Sequence, residues 1–185
     1  MAGFNNGQPR DSDGHLIFGA DNLYPLAGGN VATMRTQYPT STANTCALRQ
    51  SFAFNACGVT IPYIWSDDDH DGIKDPNEAD ITVAGDGGKY YFLRAELMVK
   101  YCLEAFAQQS APIHVDRQDV LNGATAGSSF GQIQGIYMML PYAGANWNAS
   151  GHCDYLYKVP NKEKWRTTSG FQWPWVGDAY LWILE

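Results

Sequence analysis

The chain has 185 residues, one domain's worth on a prior of about 150 residues per domain, and at 45% hydrophobic it can build a sizeable core, which excludes a largely disordered protein. Twelve basic residues stand against 19 acidic ones, a net of −7 with no basic patch, so a nucleic-acid binder working through phosphate contacts is excluded. No apolar run approaches the roughly 20 residues that span a bilayer.

The charge is uneven. Asp67, Asp68, Asp69, Asp71, Asp75, Glu78 and Asp80 face Lys74 alone, and the rest of the chain is nearly neutral at −1. The acidic segment is therefore a tail, a solvated loop or a cation site. Cys46, Cys57, Cys102 and Cys153 fit no zinc spacing and are too sparse for a disulfide scaffold. The N-terminus MAGFNNGQPRDSDG lacks the basic start and apolar stretch of a secretory signal. The expectation is a cytoplasmic protein, or one exported by a route that reads no Sec-type signal.

Residues 1 to 43 are rich in Gly, Asn, Ser and Thr and read as irregular, with a short extended piece near Leu16 to Phe18. NTCALRQSFAFNAC (44 to 57) reads as a helix, with Asn44 as N-cap and Gly58 just past its end. It is apolar most of the way round, which predicts burial. Val59 to Trp65 reads as a strand broken by Pro62, and GDGGK (85 to 89) as a tight loop. Leu93 to Gln109 has helical periodicity, with Leu97, Tyr101 and Ala105 on one line and Met98, Cys102 and Phe106 on the next. After a polar stretch at 115 to 130 the period becomes two. Gln132 to Leu140, Gly151 to Lys158 and Asp178 to Leu184 read as strands. Early helices and late strands predict a single α+β domain over 1–185, helices packed on a mainly antiparallel sheet.

Cys46 falls in the first turn of its helix. The partial positive charge there favours thiolate, and nearby N–H groups suit an oxyanion; buried cysteines are also common without any role. His152 starts a predicted strand and shares a face with Asp154. A histidine that deprotonates Cys46, itself oriented by a carboxylate, is the thiol-hydrolase constellation. Asp154 does not easily reach the imidazole Nδ1 from the same strand. Glu163, after a turn at Val159 to Lys162, is the other candidate.

Asp67, Asp69, Asp71, Gly72, Asp75 and Glu78 occupy positions 1, 3, 5, 6, 9 and 12 of a calcium loop. Ile73 offers its carbonyl, and Glu78 closes the shell. Position 8 is Lys74 rather than an apolar residue, and no helical pattern precedes Asp67. The string resembles the solitary aspartate-rich loops of thrombospondin type 3 repeats. Bound Ca2+ is the expected, structural cofactor, ordering a loop that would otherwise repel itself.

The segment Gly28 to Trp65 resembles the N-terminal half of the type VI secretion amidase effectors, fourth class. The residues that carry the resemblance are Gly28-Gly29, Asn44, Cys46-Ala47-Leu48-Arg49, Ser51, Asn55, Gly58 and Ile61-Pro62-Tyr63. KYYFLRAELMVKYCLEAF, GQIQGIYMML, NASGHCDYLY and AYLWIL resemble later parts of the same family. The resemblance implies a papain-like, NlpC-type fold. It implies a cysteine amidase that cuts the D-glutamate to meso-diaminopimelate bond of peptidoglycan stem peptides. It also implies a cognate immunity protein and delivery to the periplasm of target bacteria by a secretion apparatus. Carried over, Cys46 is the nucleophile and His152 the base. The family's acidic member lies some eleven residues past its His, which gives Glu163, though the cysteines that close that hairpin in the family are absent. Tyr155-Leu156-Tyr157 replaces the family's Leu-Trp, and the acidic segment at about 66–80 looks like an insertion. Two other readings stand beside this one: a non-catalytic calcium-dependent binding module, and a cysteine hydrolase of the same fold acting on another substrate.

Overall fold

Helices that the sequence pattern hides open the chain. The computed structural model describes residues 9–15, 17, 19–109, 111–131, 133–158, 165–166 and 173–184, which divide into two compact units, Met1–Leu93 and Arg94–Glu185. In the first unit, α1 (Ala20–Ala27) and α2 (Gly29–Gln37) occupy a stretch expected to be irregular. Their signal is obscured because Pro25 lies inside α1, Gly28 separates the helices and Gly29 opens α2. Leu23, Tyr24, Ala27 and Val31 nonetheless fall at helical spacing and are buried. The kink between the helices requires glycine. Gly28 and Gly29 have φ of 67° and 52°, and a Cβ on Gly29 would meet the Gly85 backbone at 3.0 Å. Leu16 and Phe18, where an extended piece was expected, lie outside the described residues.

The helix expected at 44 to 57 forms as α3 (Cys46–Ala56). Eight of its 11 residues are buried, as its all-round apolar pattern requires. Leu48 packs into a cluster with Leu23, Tyr24, Val31 and Tyr91. Full burial of a leucine is worth about 1.5–3 kcal/mol. Gly58, just past the C-cap Cys57, has φ of 80°, the left-handed conformation glycine supplies there.

Val59 to Trp65 is not a strand. Pro62 lacks the N–H a ladder needs, and only Trp65 makes a bridge, to Asp80. The segment is tied by a few bonds only: the Ile64 carbonyl accepts from Ile81 N–H at 2.9 Å and Thr82 N–H at 3.1 Å, Ile64 N–H donates to Thr82 Oγ1 at 2.8 Å, and Thr82 Oγ1 donates to the Pro62 carbonyl at 3.0 Å. β1 (Thr82–Ala84) and β2 (Tyr90–Phe92) form a hairpin around GDGGK. It docks on α3 through Ser51, whose hydroxyl accepts from Phe92 N–H at 2.9 Å.

The second unit is built on five antiparallel strands in the order β3-β7-β4-β5-β6. They are β3 (Ile113–Asp116), β4 (Gly135–Pro141), β5 (His152–Lys158), β6 (Trp165–Arg166) and β7 (Val176–Ile183). The three strands expected from period two are β4, β5 and β7, the middle of the sheet. β3 and two short helices, α5 (Arg117–Leu121) and α6 (Ala126–Phe130), replace the expected polar stretch. Their N-caps Asp116 and Thr125 form capping boxes with Asp119 and Ser128, so residues that read as loop-like are helix starts. α4 (Ala95–Ala105) packs on β4 and β5. Cys102 and Cys153 are core residues, and burial pushes the Cys102 thiol far up; Cys57 is exposed. The result is a mixed α+β protein, as expected from the sequence.

Candidate active site

Cys46 is the first residue of α3 and is 5% exposed. The helix begins there because Asn44 Oδ1 accepts the Cys46 N–H at 3.1 Å, satisfying a donor that has no partner within the helix. Thr45 holds the N-cap position and Asn44 supplies the capping oxygen. Tyr24 belongs to the same surroundings and was not singled out from sequence. It is fully buried, and its hydroxyl has no hydrogen-bond partner among the described residues. Burial pushes the phenol up to about 12, against the opposing charge of Arg35, and negative charge on Cys46 raises it further.

His152 opens β5 in the second unit. Register pairs Met139 with His152 and Tyr137 with Asp154, so these four side chains share one face of the sheet, while Cys153 turns to the other and reaches the Ala95 carbonyl at 4.0 Å. His152 Nε2 lies 3.4 Å from Asp154 Oδ2, with both side chains almost wholly buried. The same-strand carboxylate therefore meets the imidazole, at Nε2 rather than at Nδ1. Asp154 Oδ1 accepts the Tyr155 N–H at 2.8 Å, which anchors the carboxylate. The Tyr137 ring lies 6.3 Å from the imidazole, and burial beside the Asp154 charge drives its phenol far up, keeping it neutral. Glu163 lies outside the described residues.

In the acidic loop, ligand oxygens of Asp67, Asp69 and Asp71 gather within 4.8 Å of one another. Asp69 and Asp71 fold their carboxylates onto the N–H two residues on, and Gly72, with φ of 76°, donates to Asp67 Oδ2 at 3.2 Å. Glu78 is 8% exposed and clamps the loop, Oε1 accepting from Asp68 N–H and Oε2 from Asp75 N–H, each at 2.8 Å. Lys74, the departure from the motif, bonds the Glu78 carbonyl and pairs with Asp80 at 3.3 Å. Asp75, Glu78 and Ile73 are not in the three-carboxylate cluster. A second gathering, Asp11, Asp13 and His15, was not anticipated and is fully exposed.

A thiol at a helix start, and a buried histidine–carboxylate pair, are each the kind of group that thiol-dependent acyl transfer uses. The sequence profile of the family described as "Type VI secretion system (T6SS), amidase effector protein 4" matches residues 42–182, and the chain belongs to that family, the peptidoglycan-targeting amidases among hydrolases. Among curated proteins no match is found. The fold is similar to that of the effector Tae4 from Salmonella typhimurium in its complex with the immunity protein Tai4, with 20% identity, TM-score 0.62, and coverage of 91% of this chain and 90% of that one. It is also similar to Tae4 from Enterobacter cloacae, with 19% identity, TM-score 0.61, and coverage of 100% and 92%.

Proposed function

We propose that this chain is an antibacterial cysteine amidase that hydrolyses the D-glutamate to meso-diaminopimelate amide bond of peptidoglycan stem peptides. The observation that carries the reading is the buried His152–Asp154 pair in a chain of the amidase-effector family. His152 takes the Cys46 proton as sulfur attacks the amide carbonyl. Backbone N–H groups at the start of α3 hold the oxyanion. The imidazolium then protonates the leaving amine, and water, deprotonated by His152, hydrolyses the thioester. The family profile spans both compact units, which supports one amidase domain over 1–185 with an insertion at about 66–80 and a papain-like arrangement. Family membership also favours the enzyme over a non-catalytic binding module.

The family's secretion system supports export into the periplasm of target bacteria. The solved complexes of similar chains with Tai4 support a cognate immunity protein. No described helix is long and apolar enough to cross a membrane.

The acidic loop is read as a Ca2+ site. Asp67 Oδ1 is shielded from solvent and has no hydrogen-bond partner among the described residues, as suits a hard cation's ligand. Asp67, Asp69 and Asp71 hold the ion, and Ile73, Asp75 and Glu78 complete the loop. The ion neutralises the loop and orders it.

Digestion of purified muropeptides, followed by mass analysis, tests the enzyme reading. Wild-type protein releases the fragments of D-glutamate to diaminopimelate cleavage, and Cys46→Ala releases none. Fragments from a different amide keep the hydrolase and replace the bond. Equal activity of Cys46→Ala removes Cys46 as nucleophile.

A further inference from the structure

The first unit carries a groove to which amide hydrolysis assigns no role. It encloses about 720 Å³ and is lined by α2, by the 59–65 segment and by the β1–β2 hairpin. In its lining the Tyr63 ring lies 5.5 Å from the rings of Trp65 and Tyr90 and is tilted 32° to each. Tyr63 is 38% exposed, and Tyr38, across the same groove, is 52% exposed. The Tyr63 ring is held at several points. The Tyr63 hydroxyl donates to Asp80 Oδ1 at 2.6 Å, and its backbone neighbours are pinned to Thr82. Asn30 and Gln37 add amides that both donate and accept.

The chemistry of this lining selects its ligand. Among the described residues no Lys, Arg or His lines the groove; Asp80 does, and the adjacent Lys74 ammonium is taken up by it at 3.3 Å, so phosphate esters and carboxylate-bearing peptides find no uncompensated cation there. A neutral polyol with flat apolar faces fits. Pyranose rings present C–H faces to aromatic rings and equatorial hydroxyls and acetamides to side-chain amides and carboxylates. Preorganised rings also save the ordering cost that floppy ones incur on binding.

We propose that this groove binds the amino-sugar glycan strand of the cell wall, stacking sugar rings on Tyr63, Tyr90 and Tyr38. This rests on the peptidoglycan reading of the function and extends it: the enzyme holds the polymer by its sugars and cuts its peptides. The groove then raises the local concentration of stem peptides on intact wall and adds nothing on free peptides.

The test is binding to peptide-free glycan strands, prepared by enzymatic removal of all stem peptides, together with turnover on whole sacculi and on soluble stem peptide. Wild-type protein binds the strands. Tyr63→Ala weakens binding by about tenfold or more, equivalent to about 1.4 kcal/mol, and Tyr63→Phe weakens it less because the ring remains. Sacculus turnover falls with binding, and turnover of soluble stem peptide does not change. Tyr38→Ala, at an exposed position, reads the same surface should Tyr63→Ala fold poorly. Absence of wild-type binding to the strands, or equal binding by the Tyr63→Ala and Tyr38→Ala variants, overturns the proposal. Competition by free stem peptide overturns it too. Amidase activity without strand binding removes the groove and keeps the amidase; Tyr63-dependent strand binding without amidase activity does the reverse.

Discussion

His152 Nε2 lies 3.4 Å from Asp154 Oδ2, two residues further along the same strand. Adjacent same-face positions on a strand do not easily let short side chains meet, and the carboxylate of this pair is anchored by the Tyr155 N–H on Asp154 Oδ1 at 2.8 Å. In the proposed mechanism the carboxylate fixes the ring orientation and stabilises the imidazolium that forms during turnover.

Asp154→Asn is expected to lower kcat by about 10²-fold or more, with little change in KM, because it removes charge stabilisation and leaves shape. Glu163→Gln is expected to have the smaller effect. Steady-state kinetics on one stem-peptide substrate compares the two, and a larger loss for Glu163→Gln assigns the orienting role to that residue.

The acidic loop is expected to bind Ca2+ and to make stability depend on it. At an ion concentration of 100 times the Kd, the gain is about 2.7 kcal/mol, which raises Tm by roughly 5–10 °C in a chain of this size. Differential scanning calorimetry with Ca2+ and with chelator measures it. Asp69→Asn combined with Asp71→Asn should abolish the difference. Identical Tm values for wild-type protein with and without Ca2+ would falsify the site.

Tyr24 governs an alkaline effect. Its pKa rises from 10 unfolded to about 12 folded, mainly through burial, so the unfolded chain releases the proton first. The contribution to stability is complete below pH 10 and is lost as pH climbs through 12. Tyr24→Phe removes a buried hydroxyl without a partner among the described residues, so it should be neutral or stabilising by up to about 1 kcal/mol at pH 7. It should also make the loss between pH 10 and 12 shallower. Urea unfolding at a series of pH values checks both, and a clear destabilisation at pH 7 contradicts the expectation.

Gly29→Ala is expected to cost about 1–3 kcal/mol, because φ is 52° and the new Cβ meets the backbone of Gly85. Gly14→Ala provides a control: its φ of 81° is equally unfavourable, but nothing lies within 4 Å of the added carbon. Thermal unfolding of the two variants separates backbone strain from crowding.

Elements with one strong period were legible. α3 could be read because its apolar residues ring the helix between Asn44 and Gly58, and β4, β5 and β7 because their centres repeat at two. α1 and α2 were not, since Pro25 and Gly28-Gly29 interrupt the pattern that Leu23, Tyr24 and Val31 follow. β3 and α5 read as loop because Asp116 and Asp119 serve as caps. Val59 to Trp65 reads as a strand by composition, but Pro62 interrupts it, and it makes one isolated bridge and a few bonds to Ile81 and Thr82 in place of a ladder.

The sequence by itself determined the local chemistry: a thiol at a helix start, a histidine sharing a strand face with an aspartate, and a dozen residues at the spacing of a cation loop. These depend on spacing along the chain, which any reader of the sequence can measure. Only the tertiary structure decided that Asp154 meets Nε2, that the Tyr24 hydroxyl is buried, and that Tyr63 lies beside Trp65 and Tyr90 in the lining of a groove. Those contacts join atoms brought close by sheet register and helix packing, and such distances are not written in the order of residues.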